Sequence, residues 1–530
     1  MQKNSSDFKG SSKGGISLRG ICKSFGVVRA NDQVSLEVEP GSIHGVIGEN
    51  GAGKSTAMKV LYGVYSADLG DIIVDGKKRK WESPADAISA GIGMVHQHFM
   101  LARPYTALDN ILLNAQKSDT LFSFLPKALR ILKRKSAKNK LEALSKKYSL
   151  PVNWDEKIEN LPVGIQQRIE ILKLLYQDAK TLILDEPTAV LTPQEVKELF
   201  SYLKKIRNEG KTIIIITHKL KEVMDLTDRI TVFRKGKVTG ELCTKDTSQQ
   251  ELANLMVGRS VSLRVDVPEQ PKVGGAALEL NQVSVFDENG KKRLSNIDLE
   301  VRRGEVVGIA GVEGNGQSEL LKTILFSNEV LNKTGSKGKV KIFNKDTTRL
   351  STREIKKLGV GFIPEDRIKE GLLLEKSVKE NFLLGLQRTG GFSQNGLINN
   401  KKLNEKVTDA IERYDVRPRD IDLPVKGLSG GNQQKLIIAR EFEMNPGLII
   451  AAQPTRGVDV GAIEFIHERI LKARTQGAGV LLVSSELDEI ITLSDRIVVL
   501  YEGRVVAQYT RGECDENELG LQMGGAGVSK

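Results

Sequence analysis

Gly48-Glu49-Asn50-Gly51-Ala52-Gly53-Lys54-Ser55-Thr56 is the stretch on which the reading of this chain turns. It matches G-x-x-x-x-G-K-[ST], and its flanks suit it. Residues 43–47 are apolar enough for a short buried strand, and residues 57–62 read as the start of a helix. Strand, glycine-rich loop and helix in that order form an anion cradle. The glycines let successive N–H groups face one centre, and the helix N-terminus adds partial positive charge. Lys54 is then suited to reach the outer phosphates of a nucleotide, and Ser55 to ligate Mg2+. The bland alternative, a glycine-rich turn that binds nothing, loses ground as the rest of the chain is read.

The 530 residues carry 79 Lys and Arg against 67 Asp and Glu, a net charge of +12. That excess permits a nucleic-acid or anionic-membrane partner without requiring one. Aromatic residues are only 5 %, which weakens any surface built on base stacking, and no nucleic-acid partner is expected. Cys22, Cys243 and Cys514 lie far apart with no metal-ligand spacing, so a reduced cytosolic setting fits best. Residues 1–15 are polar, with no apolar stretch of the kind a signal peptide needs, and read as a loose tail. The longest apolar runs, residues 213–216 and 448–452, are strand-sized, so a membrane association is expected only through a partner.

The chain repeats itself. Residues 36–48 (LEVEPGSIHGVIG) resemble residues 299–311 (LEVRRGEVVGIAG), Gly91-Ile92-Gly93 resembles Gly359-Val360-Gly361, and Thr227-Asp228-Arg229-Ile230 resembles Ser494-Asp495-Arg496-Ile497. The steady separation means a tandem duplication. The domains expected are 16–259 and 277–524, joined by a linker over 260–276 and ending in a short tail, 525–530. Short Ile/Val/Leu strands alternate with helical stretches in each half, which predicts α/β folding around a mostly parallel sheet. A helical insert lies between Gln97 and the 160s. Its residues 127–147, dense in Lys and Arg with interleaved Leu, read first as a solvated amphipathic helix and second as a docking face for a partner or lipid headgroups.

In the first half, residues 181–188 (TLILDEPT) are an apolar strand ending in two acids. Asp185 is suited to hold Mg2+ and Glu186 to polarise an attacking water, help that is typically worth ~10²–10⁴ in rate. Another buried strand, residues 213–216, ends in Thr217-His218, where a histidine can bond a terminal phosphate. A lone His is more often a packed bystander, but its order after the other motifs reverses that expectation. Together the phosphate loop, Gln97, Asp185-Glu186 and His218 resemble the ATP-binding cassette (ABC) family over nearly the whole chain. The resemblance implies ATP and Mg2+ as cofactors. It gives catalytic roles to Glu186, His218 and Gln97, and metal ligation to Ser55, Gln97 and Asp185. ATP would be held by Gly48 through Thr56, with Phe25 stacked on adenine.

The second half has the same parts with the chemistry removed. Its loop reads Gly311-Val312-Glu313-Gly314-Asn315-Gly316-Gln317-Ser318, with Gln317 at the lysine position, where a neutral amide cannot offset phosphate charge. Ala452-Gln453 replaces the acid pair, Ser485 the histidine and Glu365 the glutamine. This half is expected to hydrolyse ATP poorly or not at all. In the resemblance, a Leu-Ser-Gly-Gly-Gln segment of each half completes the other half's nucleotide site. The second half has a serviceable one, with Ser429, Gly430, Gly431 and Asn432, while the first half reads Leu161-Pro162-Val163-Gly164-Ile165. Pro162 lacks both hydroxyl and N–H, although proline is welcome where a helix begins. One sound site and one degenerate site per chain is the expectation, the latter comprising Gly311, Gly314, Gly316, Gln317, Ser318, Glu365, Ala452, Gln453, Ser485 and Pro162.

Residues 453–459 (QPTRGVD), Pro364-Glu365-Asp366-Arg367 and Met256-Val257-Gly258-Arg259 resemble the monosaccharide (ribose and galactose) importers within the family. Residues 95–101 (VHQHFML) and Val163-Gly164 are closer to its purine-nucleoside importers. The resemblance implies two permease subunits as partners, an extracytoplasmic binding lipoprotein engaged indirectly, intramolecular pairing of the two halves, and a peripheral position on the cytoplasmic face of the cell membrane. The segments after Gln97, with Arg103 and Tyr105, and after Glu365 would carry motion to the permeases. His96 and His98 lack the further ligands a metal site needs. A ribosome-associated translation factor with tandem cassettes is the alternative of another class, disfavoured by the degenerate second site and the short proline-bearing linker.

Overall fold

The structure is a computed structural model of the chain. It describes all residues except 1–14, 27, 98, 114–119, 122–130, 133, 190, 192, 261–265, 313, 334, 388–390, 395–396, 459 and 526–530. The tails, part of the linker, His98, Glu313, Asp459 and much of the basic stretch 127–133 therefore lie outside the described residues. The chain forms two compact units, Met1–Val261 and Ser262–Lys530.

The first unit opens with β1 (Ile16–Phe25), β2 (Val28–Val38) and β3 (Ile43–Gly48), then α1 (Lys54–Leu61), β4 (Leu69–Val74), β5 (Lys77–Arg79) and β6 (Ile92–Val95). After a helical stretch come α2 (Val163–Tyr176), β7 (Thr181–Asp185), β8 (Thr212–Thr217), β9 (Arg229–Arg234) and β10 (Lys237–Cys243). One sheet has the order β2-β1-β4-β5 and is antiparallel. The other runs β10-β9-β3-β8-β7-β6, parallel except at the β9–β10 hairpin. Every residue of β3, β7 and β8 is buried, as expected for parallel strands covered on both faces. The period of two along β8 sorts its isoleucines. Ile213 and Ile215 join the core with the helical part, whereas Ile214 and Ile216 join the core shared with the antiparallel sheet and α1.

The second unit repeats this plan with β11 (Ala276–Phe286), β12 (Lys292–Arg302), β13 (Val306–Ala310), α3 (Gln317–Leu325), β14 (Lys337–Ile342), β15 (Lys345–Asp346) and β16 (Val360–Ile363). It continues with α4 (Gly430–Phe442), β17 (Leu448–Ala452), β18 (Gly479–Val483), β19 (Arg496–Tyr501) and β20 (Arg504–Thr510). Its sheets are β12-β11-β14-β15 and β16-β17-β18-β13-β19-β20, the first unit's orders again. Each unit is thus the expected α/β core with a mostly parallel sheet and a helical part. Among the described residues no helix is long and apolar enough to cross a membrane.

Two details differ from the sequence reading. The helix after the phosphate loop begins at Lys54, three residues before the expected start, because Gly53 takes a left-handed conformation (φ 97°) that turns the chain straight into it. Among the described residues of the basic stretch, the helix is Arg134–Tyr148, burying Ala137, Leu141 and Tyr148, while Ile131–Leu132 pairs as a short strand with Thr120–Leu121.

Candidate functional site

Adjacent parallel strands bring the first unit's motifs together. In the sheet β3, β8 and β7 are neighbours, and their carboxyl ends are level: Ile216 pairs with both Val46 and Asp185. Ligands in open α/β sheets bind at such carboxyl ends. The loop from Gly48 to Gly53 is folded tightly. A Cβ at Gly48 would lie 2.3 Å from Phe233 O, and one at Gly53 2.3 Å from Ala30 O. Ala52 is buried, its N–H donating to Glu49 O at 3.1 Å, while Asn50 and Gly51 face outward. Lys54 lies buried over the loop, its Nζ donating to Gly48 O at 2.8 Å and Glu49 O at 3.0 Å. Burial lowers its pKa, opposed by the charges of Glu186, Asp185 and Glu49. Thr56 follows in the first turn of α1, half-buried.

Ser55 Oγ donates to Asp185 Oδ1 at 3.3 Å. Burial pushes the Asp185 carboxyl up, with Ser55 working against it. This hydroxyl–carboxylate pair beside a phosphate cradle is a donor set that fits Mg2+. Glu186 takes a left-handed backbone conformation (φ 47°) just past the end of β7. Its carboxylate is gripped from both sides, by Gln97 Nε2 at 3.2 Å and by His218 Nδ1 at 3.0 Å. Burial pushes this carboxyl up, but the hydrogen bond and charge of His218 and the charges of Lys54 and Lys219 outweigh it, leaving the net pKa below its ordinary value. Gln97 is thus brought to Glu186. Phe25, at the tip of β1 and 43 % exposed, meets Tyr65 edge-on at 5.1 Å. His96 packs edge-on against Tyr62.

Several functional supports escaped the sequence reading. Buried Asn31 braces the loop, its Nδ2 donating to Gly53 O at 3.0 Å. Glu170 accepts from Met100 N at 3.0 Å and pairs with Lys173, anchoring the segment after Gln97, from which Arg103 and Tyr105 stand exposed. Gln167 Nε2 donates to Pro187 O at 2.6 Å, and its counterpart Gln434 to Pro454 O at 2.9 Å. The repeated Gln-Gln and Glu-Pro or Gln-Pro pairs were the available signal for that last contact.

The second unit keeps the frame. Gly314 and Gly316 have left-handed φ, and Gln453 has φ 47°, matching Glu186. A Cβ at Gly311 would lie 2.4 Å from Gln317 Nε2, which donates to Val312 O at 3.0 Å; Gln317 Oε1 is buried without a partner. Ala452 is fully buried at the end of β17. The loop hydroxyl of Ser318 turns instead to Glu365, donating to its Oε2 at 2.9 Å. Ser485 bonds Gln453 Oε1 through both N–H and Oγ at 3.1 Å. Helix α4 is capped by Ser429, whose Oγ accepts from Asn432 N at 3.4 Å and Asn432 Nδ2 at 2.9 Å, with Gly430 and Gly431 in its first turn. Pro162 holds the corresponding position before α2 and makes no side-chain cap.

The family model for the ABC transporter matches residues 31–189 and 294–456, one match in each unit. The chain is 44 % identical to the nucleoside import ATP-binding protein NupA of Lactococcus lactis subsp. cremoris, over 97 % of this chain and 99 % of that protein. It is 46 % identical to the guanosine import ATP-binding protein NupO of Bacillus subtilis (96 % and 97 % covered). It is 45 % identical to the glucose import ATP-binding protein TsgD13 of Haloferax volcanii (97 % and 96 % covered). With both units matched and relatives this similar over almost their full length, the chain belongs to the ABC transporter family.

Proposed function

We propose that this chain is the ATP-hydrolysing subunit of an importer of nucleosides, purine nucleosides foremost. It works from the cytoplasmic face of the membrane with two permease subunits and, through them, an extracytoplasmic binding lipoprotein. The observation that carries the reading is Glu186, held between Gln97 and His218 beside Lys54, against Gln453 at the same backbone position in the second unit. The loop N–H groups and Lys54 hold the phosphates. Glu186 accepts a proton from water as its oxygen bonds the γ-phosphorus, and the bond to the β-phosphate oxygen breaks to leave ADP and phosphate. His218 fixes the carboxylate's position. Mg2+, held through Ser55 and Asp185 with Gln97 nearby, would offset phosphate charge. Ser429, Gly430, Gly431 and Asn432 belong to the same proposal, and Phe25 with Tyr65 offers the aromatic surface for adenine.

The glucose importer among the relatives supports a second cargo reading, a monosaccharide. The ribosome-associated alternative gains no more than a shared fold: a solved archaeal ribosome recycling factor matches 96 % of this chain with a TM-score of 0.59 but at 19 % identity. The deciding experiment is uptake of labelled guanosine, adenosine, ribose, galactose and glucose by cells carrying this chain or Glu186→Gln. Loss of nucleoside uptake alone supports the proposal. Loss of sugar uptake alone keeps the mechanism and replaces the cargo, and no loss of either overturns the importer reading.

A further inference from the structure

Arg367 opens the turn Arg367–Gly371, two residues after Glu365. Its guanidinium reaches two separate segments. One nitrogen donates to Arg456 O at 2.8 Å and another to Gly457 O at 3.3 Å, both in the loop after β17. Nε donates to Gln433 Oε1 at 3.4 Å in the first turn of α4. The Arg456 guanidinium in turn lies 3.7 Å from Glu365 Oε1, whose other oxygen accepts from Ser318. One chain of polar contacts therefore joins the phosphate-loop serine to the helix start that displays Ser429.

Two glycines make room for it. A Cβ at Gly430 would sit 2.7 Å from an Arg367 nitrogen, and Gly457 has φ 68° with a would-be Cβ 3.4 Å from the same guanidinium. The first half keeps counterparts of Gln433 and Ser318 in Gln166 and Ser55, but lacks the arginines and the glycines that make room for them. By the register of the repeat, Phe99 stands for Arg367, Ala189 for Arg456, Val163 for Gly430 and Val190 for Gly457. Phe99 packs instead against the apolar core with the helical part, as do Leu101 and Leu161. The clamp occurs in the half whose helix is capped by serine, and is absent where Pro162 stands. A planar fork reaching three acceptors is a task for arginine that lysine cannot take over.

We propose that Arg367 is a positioning residue that holds the Ser429–Asn432 helix start in the geometry ATP turnover needs and ties it to the second half's own phosphate loop. This rests on the reading of the chain as an ATPase in which Ser429 takes part. The experiment compares full-length wild type, Arg367→Ala and Arg367→Lys in steady-state ATP turnover. Alongside it, hydrogen–deuterium exchange is followed in peptides covering residues 428–442 without nucleotide. The expected result is a fall in kcat of about ten- to a hundredfold with KM nearly unchanged, since a misplacement of order 1 Å is this costly. Faster exchange at the start of α4 should accompany it in both variants. Wild-type kcat and unchanged exchange in Arg367→Lys would overturn the proposal, and that variant decides the matter if the alanine chain folds poorly. A wild-type protein without ATP turnover would sink the ATPase reading instead, and the exchange comparison would still judge the clamp.

Discussion

At the scale of single residues, the balance around Glu186 makes a chemical claim. Burial favours its neutral form, and His218, Lys54 and Lys219 reverse that. A depressed carboxyl pKa means the charged form survives until pH falls below the ordinary range near 4.3. Its contribution is present above the unfolded pKa and is lost as pH falls through the folded one. Removing His218 takes away its hydrogen bond and its charge and leaves only Lys54 and Lys219 to oppose burial, so His218→Ala should move the acid limb of kcat/KM to higher pH, besides lowering turnover. A limb that stays where the wild type has it would refute this account. Glu186→Gln should cut phosphate release by ~10²–10⁴-fold, whereas Gln453→Ala should leave it near wild type. Equal losses from the two would refute the asymmetry.

At the scale of elements, the two corresponding helices differ at their first residue. Ser429 (φ −64°, ψ 158°) and Pro162 (φ −54°, ψ 152°) share a backbone pose, yet only the serine accepts from the first turn. Ser429→Ala should therefore cost ~1 kcal/mol of stability as a lost cap, read by denaturant unfolding. Pro162→Ser should gain much less, because a new cap worth ~1 kcal/mol is offset by ~0.4–1 kcal/mol from a more flexible unfolded chain. The sequence announced these helices and the strands before them plainly. Runs such as Thr212–Thr217 admit little but a buried strand, and the phosphate loop's glycines sit where the close approaches require them. What stayed illegible were side chains acting across the fold. Asn31 in an edge hairpin gives no hint that it will bond Gly53 O, and Arg367 reads as surface charge until β17 and α4 are set beside it. Such contacts depend on tertiary neighbours, to which local pattern is blind.

At the scale of the molecule, one duplicated plan carries two different residue sets at its phosphate loops and strand ends. The strand orders agree, Gly51 and Gly53 have left-handed counterparts in Gly314 and Gly316, and the residues after β7 and β17 share one backbone pose. The expected behaviour is two nucleotides bound per chain and one turned over. Equilibrium binding of a non-hydrolysable ATP analogue should show Lys54→Ala losing one of the two together with turnover. Gln317→Ala should weaken the other and spare turnover; loss of turnover in that variant would contradict the division of labour. Glu186 and Gln453 share φ 47°, a left-handed pose that costs non-glycine residues on the order of 1 kcal/mol. The second unit has kept that expense after giving up its acid. For pharmacology this makes the chain its own counter-screen. A blocker that leans on the loop amides would saturate at two equivalents per molecule, whereas one that seeks the Glu186 carboxylate would saturate at one, and a titration curve alone would tell the two designs apart.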